Sequence, residues 1–323
     1  MKAFLFQDSS SGLELRDLPI PEPGPGQALI AVKAAGLCHS DTHVVKGGGD
    51  AWMCKRPIVL GHEVAGTVIK FGPNTPASSF KPGDSIVVAC VGHPIEERNF
   101  AEAIGVGHDG GYAEFALAYC KHLVRIPDGV SFAQAAVATD SISTAYHAVV
   151  TEGRAAPSTT VAVIGLGGLG LNGVAIAALQ GARVYGVDIN TDKFEQAKSF
   201  GTIDCSSNLD AFSDVVFDII IDFAGVGSTT AAAMSAVKLG GRVVVVGLGA
   251  SSITIPSASL VTRNIELRGS TSASMEELRS VLELISSGAL SPNIEEIPFE
   301  DIPKGLELLG TNQVLSRLYA VPG

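Results

Sequence analysis

Cys38, His62 and Asp140 offer one thiolate, one imidazole and one carboxylate, three donor types that bind zinc. They stand in Gly36-Leu-Cys-His-Ser-Asp-Thr-His43, Gly61-His-Glu63 and Thr139-Asp-Ser141. Three protein ligands leave the fourth position of a tetrahedral zinc open, which marks a catalytic rather than a structural site. Gly165-Leu-Gly-Gly-Leu-Gly170 begins 25 residues beyond Asp140 and has the spacing of a dinucleotide-binding turn. A nucleotide site together with an open Lewis-acid metal points to hydride transfer to or from a carbonyl carbon. Spacing alone does not make ligands of a Cys, a His and an Asp spread over about 100 residues. A buried cysteine is more often packing, so the flanking residues must decide.

Residues 1 to about 135 read as short strands, at 28–34, 64–71, 85–90 and 112–118. Turns rich in Pro and Gly at 19–26, 72–76 and 81–84 separate them, which suggests a small barrel-like domain. The pattern changes after Asp140. An apolar strand at 160–165, the glycine turn, an all-round apolar helix at 169–179 and a strand at 182–188 follow in order. Continuous apolar runs at 217–223 and 241–247 fit a parallel sheet covered on both faces, hence a doubly wound fold. Ser274-Met-Glu-Glu277 is a capping box opening a helix with the stripe Leu278, Val281, Leu282 and Ile285. Residues 317–321 read as a last strand.

At 323 residues the chain can build two cores. A net charge of −11 without any basic run argues against a nucleic-acid surface. No uncharged, glycine-free apolar run reaches the ~20 residues of a membrane span, and the N-terminus lacks a signal-peptide core. Five cysteines without a Cys-x-x-Cys pair argue for a reducing, cytoplasmic setting.

With 37 glycines in the chain, a lone Gly-x-Gly-x-x-Gly is weak evidence. Here a strand precedes it, a helix follows, and Asp188 closes the next strand 23 residues after Gly165. Gly165 permits the tight turn, Gly167 the approach of a pyrophosphate, and Gly170 close helix packing. Gly168 and Leu169 open the helix, whose N–H groups face the phosphates. Asp188 can accept from the adenosine ribose and would repel a 2′-phosphate, favouring NAD over NADP. Lys193 and Val246 are further candidate cofactor contacts.

Four more segments surround the ligand candidates: 34–41, 60–66, Lys81-Pro-Gly-Asp84 and Asp109-Gly-Gly-Tyr-Ala-Glu-Phe115. Together with the glycine turn they resemble the zinc-dependent medium-chain alcohol dehydrogenases over nearly the whole chain. The resemblance implies a Rossmann sheet inserted in a β-rich GroES-like barrel domain. Residues 1–141 and 271–323 would be catalytic and 142–270 nucleotide-binding, with the reacting carbon in the cleft between. Cys38, His62 and Asp140 would hold one catalytic zinc; Asp replaces the Cys of many members, as in some secondary-alcohol dehydrogenases.

The resemblance makes Ser40 and His43 a proton relay and Asp41 the acid that orients the zinc-bound imidazole. Glu63 would approach zinc during ligand exchange, Thr144 would touch the nicotinamide, and Arg317 would reach the cofactor phosphates. The four clustered cysteines of a structural zinc are missing: residues 85–111 hold Cys90 alone. The lobe must then be ordered by packing or by a partner subunit. The expected activity is reversible oxidation of a primary or secondary alcohol to an aldehyde or ketone with NAD, in a homodimer or homotetramer. The rivals are a zinc-free quinone or enone reductase and a non-enzymatic dinucleotide-binding protein. Trp52 and the stretch 93–104 are expected around the substrate.

Overall fold

The computed structural model describes every residue except 76–78, 91 and 312, so Pro76 of the expected 72–76 turn lies outside the described residues. The chain forms two compact units, Met1–Asp140 with Ala273–Gly323, and Ser141–Ser272. No helix among the described residues is long and apolar enough to cross a membrane.

In the first unit the strand Gln27–Gly36 is the hub, buried along most of its length. It pairs antiparallel with Glu63–Phe71, Phe115–Tyr119 and Arg317–Ala320. Ser85–Val88 and Leu123–Arg125 extend this sheet on one side and Ile294–Ile297 on the other. A smaller sheet orders Leu13–Asp17, Lys2–Phe6 and Ile58–Val59. Phe4, Phe6, Ile30, Ile58, Leu60, Ile86 and Leu318 fill the core beneath them, each stabilising by about 1.5–3 kcal/mol.

Register does the positioning. Gly36 lies opposite both Glu63 and Tyr319, so Glu63 and the strand beginning at Arg317 flank the same strand end. Cys38 follows two residues later as the N-cap of the helix His39–Val45. One strand differs from the expected 112–118: it is Phe115–Tyr119. Gly110 and Gly111 let the preceding backbone lie instead against residues 59–61, where a Cβ on Gly110 would meet the Gly61 carbonyl at 2.3 Å. Tyr112 therefore bonds Leu60 through its N–H at 3.0 Å.

The second unit is one parallel sheet of six strands. Its spatial order is Thr202–Ser206, Arg183–Val187, Thr160–Ile164, Phe217–Asp222, Val237–Val245 and Glu266–Gly269. Counted along the chain this is the 3-2-1-4-5-6 Rossmann order. The switch point falls between Thr160–Ile164 and Phe217–Asp222, and the glycine turn leaves the first of these. Tyr185, Phe212 and Phe217 pack edge to face on one another in the core. In the first unit's C-terminal part, the helix Met275–Ser286 starts at the expected capping box and buries Leu278, Val281, Leu282 and Ile285.

Candidate catalytic metal and nucleotide sites

The three candidate ligands converge. Cys38 Sγ and Asp140 Oδ2 are 3.4 Å apart, His62 Nε2 and Asp140 Oδ2 3.5 Å. One donor atom from each residue lies within 4.8 Å of the others. Tetrahedral bonds of zinc length separate neighbouring ligand atoms by about 3.3–3.8 Å, so the set fits that ion. Asp140 sits on a π-helical segment, Ala138–Ile142, a distortion frequent at functional sites.

The surroundings favour positive charge. Burial works against a charged His62, yet the Asp41 charge and bonds to Asp140, Asp41 and Cys38 hold its imidazole well above the ordinary range. Asp41 Oδ1 faces His62 Nδ1 at 3.2 Å, which leaves Nε2 toward Cys38 and Asp140. A carboxylate so placed can orient an imidazole.

Glu63 and Arg317 form a two-pronged buried pair, 0% and 3% exposed at their side chains. Gly36 makes room for it: a Cβ there would stand 1.9 Å from Glu63 Oε2. Burial pushes the Glu63 carboxyl up to about 7, Asp140 adding to the shift and Arg317 opposing it. Arg317, expected at the cofactor phosphates, has a protein partner that the sequence did not announce. Its guanidinium pairs with Glu63 and lies 3.7 Å from Asp140, where strand register buries it beside Gly36.

The relay candidates lie on the helix after Cys38. Ser40 Oγ is 3.6 Å from Cys38 Sγ, and both Ser40 and His43 are exposed. His43 stacks on Trp52 with ring centroids 5.4 Å apart. That gives Trp52 a local task not foreseen from the sequence. Gly48 clears space for the imidazole, since a Cβ there would meet Nε2 at 2.2 Å.

Cys90, the one cysteine of the lobe, stands beside the metal set, its thiol donating to the His62 carbonyl at 3.0 Å. Burial pushes that thiol far up, so it stays protonated. The lobe itself is held by contacts within the chain. Glu102 pairs with Lys121 and His122, Asp109 with Lys55 and the Val59 N–H, and Arg98 stacks on Phe100. Of the two expected sources of order, packing is present.

In the second unit each glycine of the turn has its own reason. Gly165 has φ +86°, and Gly170 nearly touches it: a Cβ on Gly170 would lie 1.7 Å from the Gly165 carbonyl. Gly167 faces open space, with nothing within 4 Å of an added Cβ. Gly168 opens the helix Gly168–Leu179, and Leu169 follows in its first turn. Asp188 Oδ2 accepts from the Leu166 N–H at 2.7 Å and from Lys193 at 3.1 Å, while Oδ1 accepts from the Asn190 N–H at 2.8 Å. A carboxylate has about four acceptor places, so Oδ1 retains one. Lys193 is buried against Asp188 and balances its charge. Val246 continues beyond the strand, its N–H on the Asp222 carbonyl at 2.9 Å. Asp222, missed from sequence, is fully buried and collects Ala224, Gly225, Thr229 and Thr230 at the switch point. Thr144 is buried in the helix Ser143–Tyr146.

Comparisons with known proteins agree with this construction. Residues 24–128 match the alcohol dehydrogenase GroES-like domain and residues 168–287 the zinc-binding dehydrogenase domain. An alcohol dehydrogenase of Geobacillus stearothermophilus is 30% identical over 343 residues, covering 98% of each chain. The chain belongs to the zinc-dependent medium-chain alcohol dehydrogenase family. Within that family, the NAD-dependent alcohol dehydrogenase of Sulfurisphaera tokodaii is 28% identical over the full length of both chains. The structure of acetophenone reductase from Geotrichum candidum in complex with NAD superposes with a TM-score of 0.89. It is 33% identical and covers 99% of this chain and 96% of that one.

Proposed function

We propose that Cys38, His62 and Asp140 hold a single catalytic zinc in an NAD-dependent alcohol dehydrogenase. The chain transfers a hydride between an alcohol carbon and NAD, giving an aldehyde or ketone reversibly. The carrying observation is the convergence of the three donors at separations suited to zinc. Bound there, the metal supplies Lewis acidity at its open position. Asp41 keeps the His62 proton on Nδ1. Ser40 takes the alcohol proton as the hydride leaves carbon, and His43, exposed on the next helical turn, returns it to water. Glu63 stays paired with Arg317 beside the ligands.

The turn Gly165, Gly167, Gly168, Leu169 and Gly170 binds the pyrophosphate, and the remaining acceptor place of Asp188 takes a ribose hydroxyl. Lys193 steadies that carboxylate; Thr144 and Val246 complete the nucleotide contacts. Units Met1–Asp140 with Ala273–Gly323 and Ser141–Ser272 serve as catalytic and nucleotide-binding domains. Cys90 as the lobe's one cysteine and a lobe held by its own ion pairs support one zinc per chain, without a structural ion. None of the five cysteines is paired, in keeping with the cytoplasm. The strand Glu266–Gly269 has one neighbour in its sheet, and Leu239 and Val261 are exposed in the same unit; these features support a homodimer or homotetramer.

The test is a panel of primary, secondary, cyclic and aromatic alcohols with NAD and with NADP. Zinc-dependent turnover of at least one class with higher kcat/KM for NAD is the expected result. Turnover of quinones or enones alone, undiminished by zinc removal, would replace this reading with the zinc-free reductase.

A further inference from the structure

Tyr112 is fully buried, with its hydroxyl 2.7 Å from Asp41 Oδ2 and 3.3 Å from the Gly36 carbonyl. A phenol has one proton to donate, and the nearer, charged acceptor takes it. The other oxygen of Asp41 faces His62 Nδ1 at 3.2 Å. Three groups therefore run in series from Tyr112 through Asp41, both buried, to His62. The remaining donor to Asp41 Oδ2, the Cys38 N–H, is long at 3.4 Å. Without the phenol, little would stop the carboxylate from turning away from the imidazole.

The backbone mounts Tyr112 on the segment that carries His62. The N–H groups of Gly110, Gly111 and Tyr112 donate to the carbonyls of Val59, Gly61 and Leu60 at 2.7, 2.7 and 3.0 Å. Gly61 adopts φ +93° and has no side chain where the ring lies: a Cβ there would meet Tyr112 Cδ1 at 2.5 Å. The glycine before His62 thus seats the tyrosine as well as the turn.

We propose that Tyr112 is a positioning residue for the metal site, fixing Asp41 so that His62 keeps its proton on Nδ1 and presents Nε2 to the ion. This rests on the reading of Cys38, His62 and Asp140 as zinc ligands. Groups that orient a metal-bound histidine typically matter 10–100-fold in metal affinity.

The experiment measures the zinc dissociation constant of the full chain by chelator competition, and the visible spectrum of the cobalt(II)-substituted protein. Tyr112→Phe keeps the ring and removes the donor. The expected loss of zinc affinity is about tenfold, with a shifted cobalt spectrum. Because the hydroxyl acts through Asp41, Tyr112→Phe should add less than about twofold in an Asp41→Asn background. Wild-type zinc affinity and cobalt spectrum in Tyr112→Phe would overturn the proposal. So would a loss that simply adds to that of Asp41→Asn, the mark of a packing role. If the wild-type chain binds no zinc, the metal reading itself fails and Tyr112 falls with it. A zinc-replete wild type matched by Tyr112→Phe defeats the tyrosine alone.

Discussion

The nucleotide turn and the metal set are built by opposite means. Gly165 through Gly170 is six consecutive residues in which local backbone geometry dictates Gly165 and Gly170 and leaves open space beside Gly167. The metal set joins residues 38, 62 and 140, with the buried Arg317 arriving from the C-terminal strand. No local rule relates these positions. The pairing of Gln27–Gly36 with two of its three partner strands puts Glu63 and Tyr319 opposite one glycine, two residues before Cys38, while Asp140 arrives on the separate segment Ala138–Ile142. A site made by local strain can be read from spacing, whereas one made by strand register requires the fold.

That difference can be probed by damaging each region separately. Ser40→Ala should produce the largest effect, lowering kcat by ~10²–10⁴-fold, the usual contribution of a positioned proton carrier. NAD affinity should be nearly unchanged, because the glycine turn proposed to hold the pyrophosphate belongs to the other unit. An equal fall in NAD binding would break the separation of tasks.

Arg317→Leu comes next. It leaves the Glu63 carboxylate buried without its cation, and breaking such a pair costs about 3–5 kcal/mol. Chemical denaturation should show that loss, and Glu63→Gln in the same chain should restore part of it. Weakened NAD binding with unchanged stability would instead return Arg317 to the cofactor phosphates.

Gly170→Ala should destabilise by about 1–3 kcal/mol through overpacking against the Gly165 carbonyl. NAD should bind more weakly while zinc content stays at the wild-type level. Loss of zinc along with the nucleotide would show that the two sites are not independent. The smallest effect is expected for His43→Ala, a modest drop in kcat. It should recover partly as pH rises or with imidazole buffer, since the proposed relay releases its proton at the exposed His43. A drop as large as that of Ser40→Ala, without recovery, would place His43 elsewhere in the chemistry.

The same contrast explains how far the chain could be read in advance. The strands around 160, 183 and 217, the glycine turn and the Ser274 capping box follow from local pattern and stand within a residue or two of expectation. Cys38, His62 and Asp140 were legible through flanking motifs rather than through their spacing. The partners of those residues were not. Nothing in the residues near Arg317 announces Glu63, and Trp52 gave no sign of stacking on His43. Lys193 was a candidate without its partner, because its burial against Asp188 depends on how residues 188–193 turn back. The positive-φ Gly61 could have flagged Tyr112, but only with the ring that fills its missing Cβ in view.

The central claim is that three distant residues form one zinc site, and zinc per chain measures it most directly. Elemental analysis should find about one tightly held zinc in the wild-type protein and a large loss of zinc and activity in Asp140→Ala. Unchanged zinc content and activity in that variant would remove Asp140 from the ligand set and contradict the account.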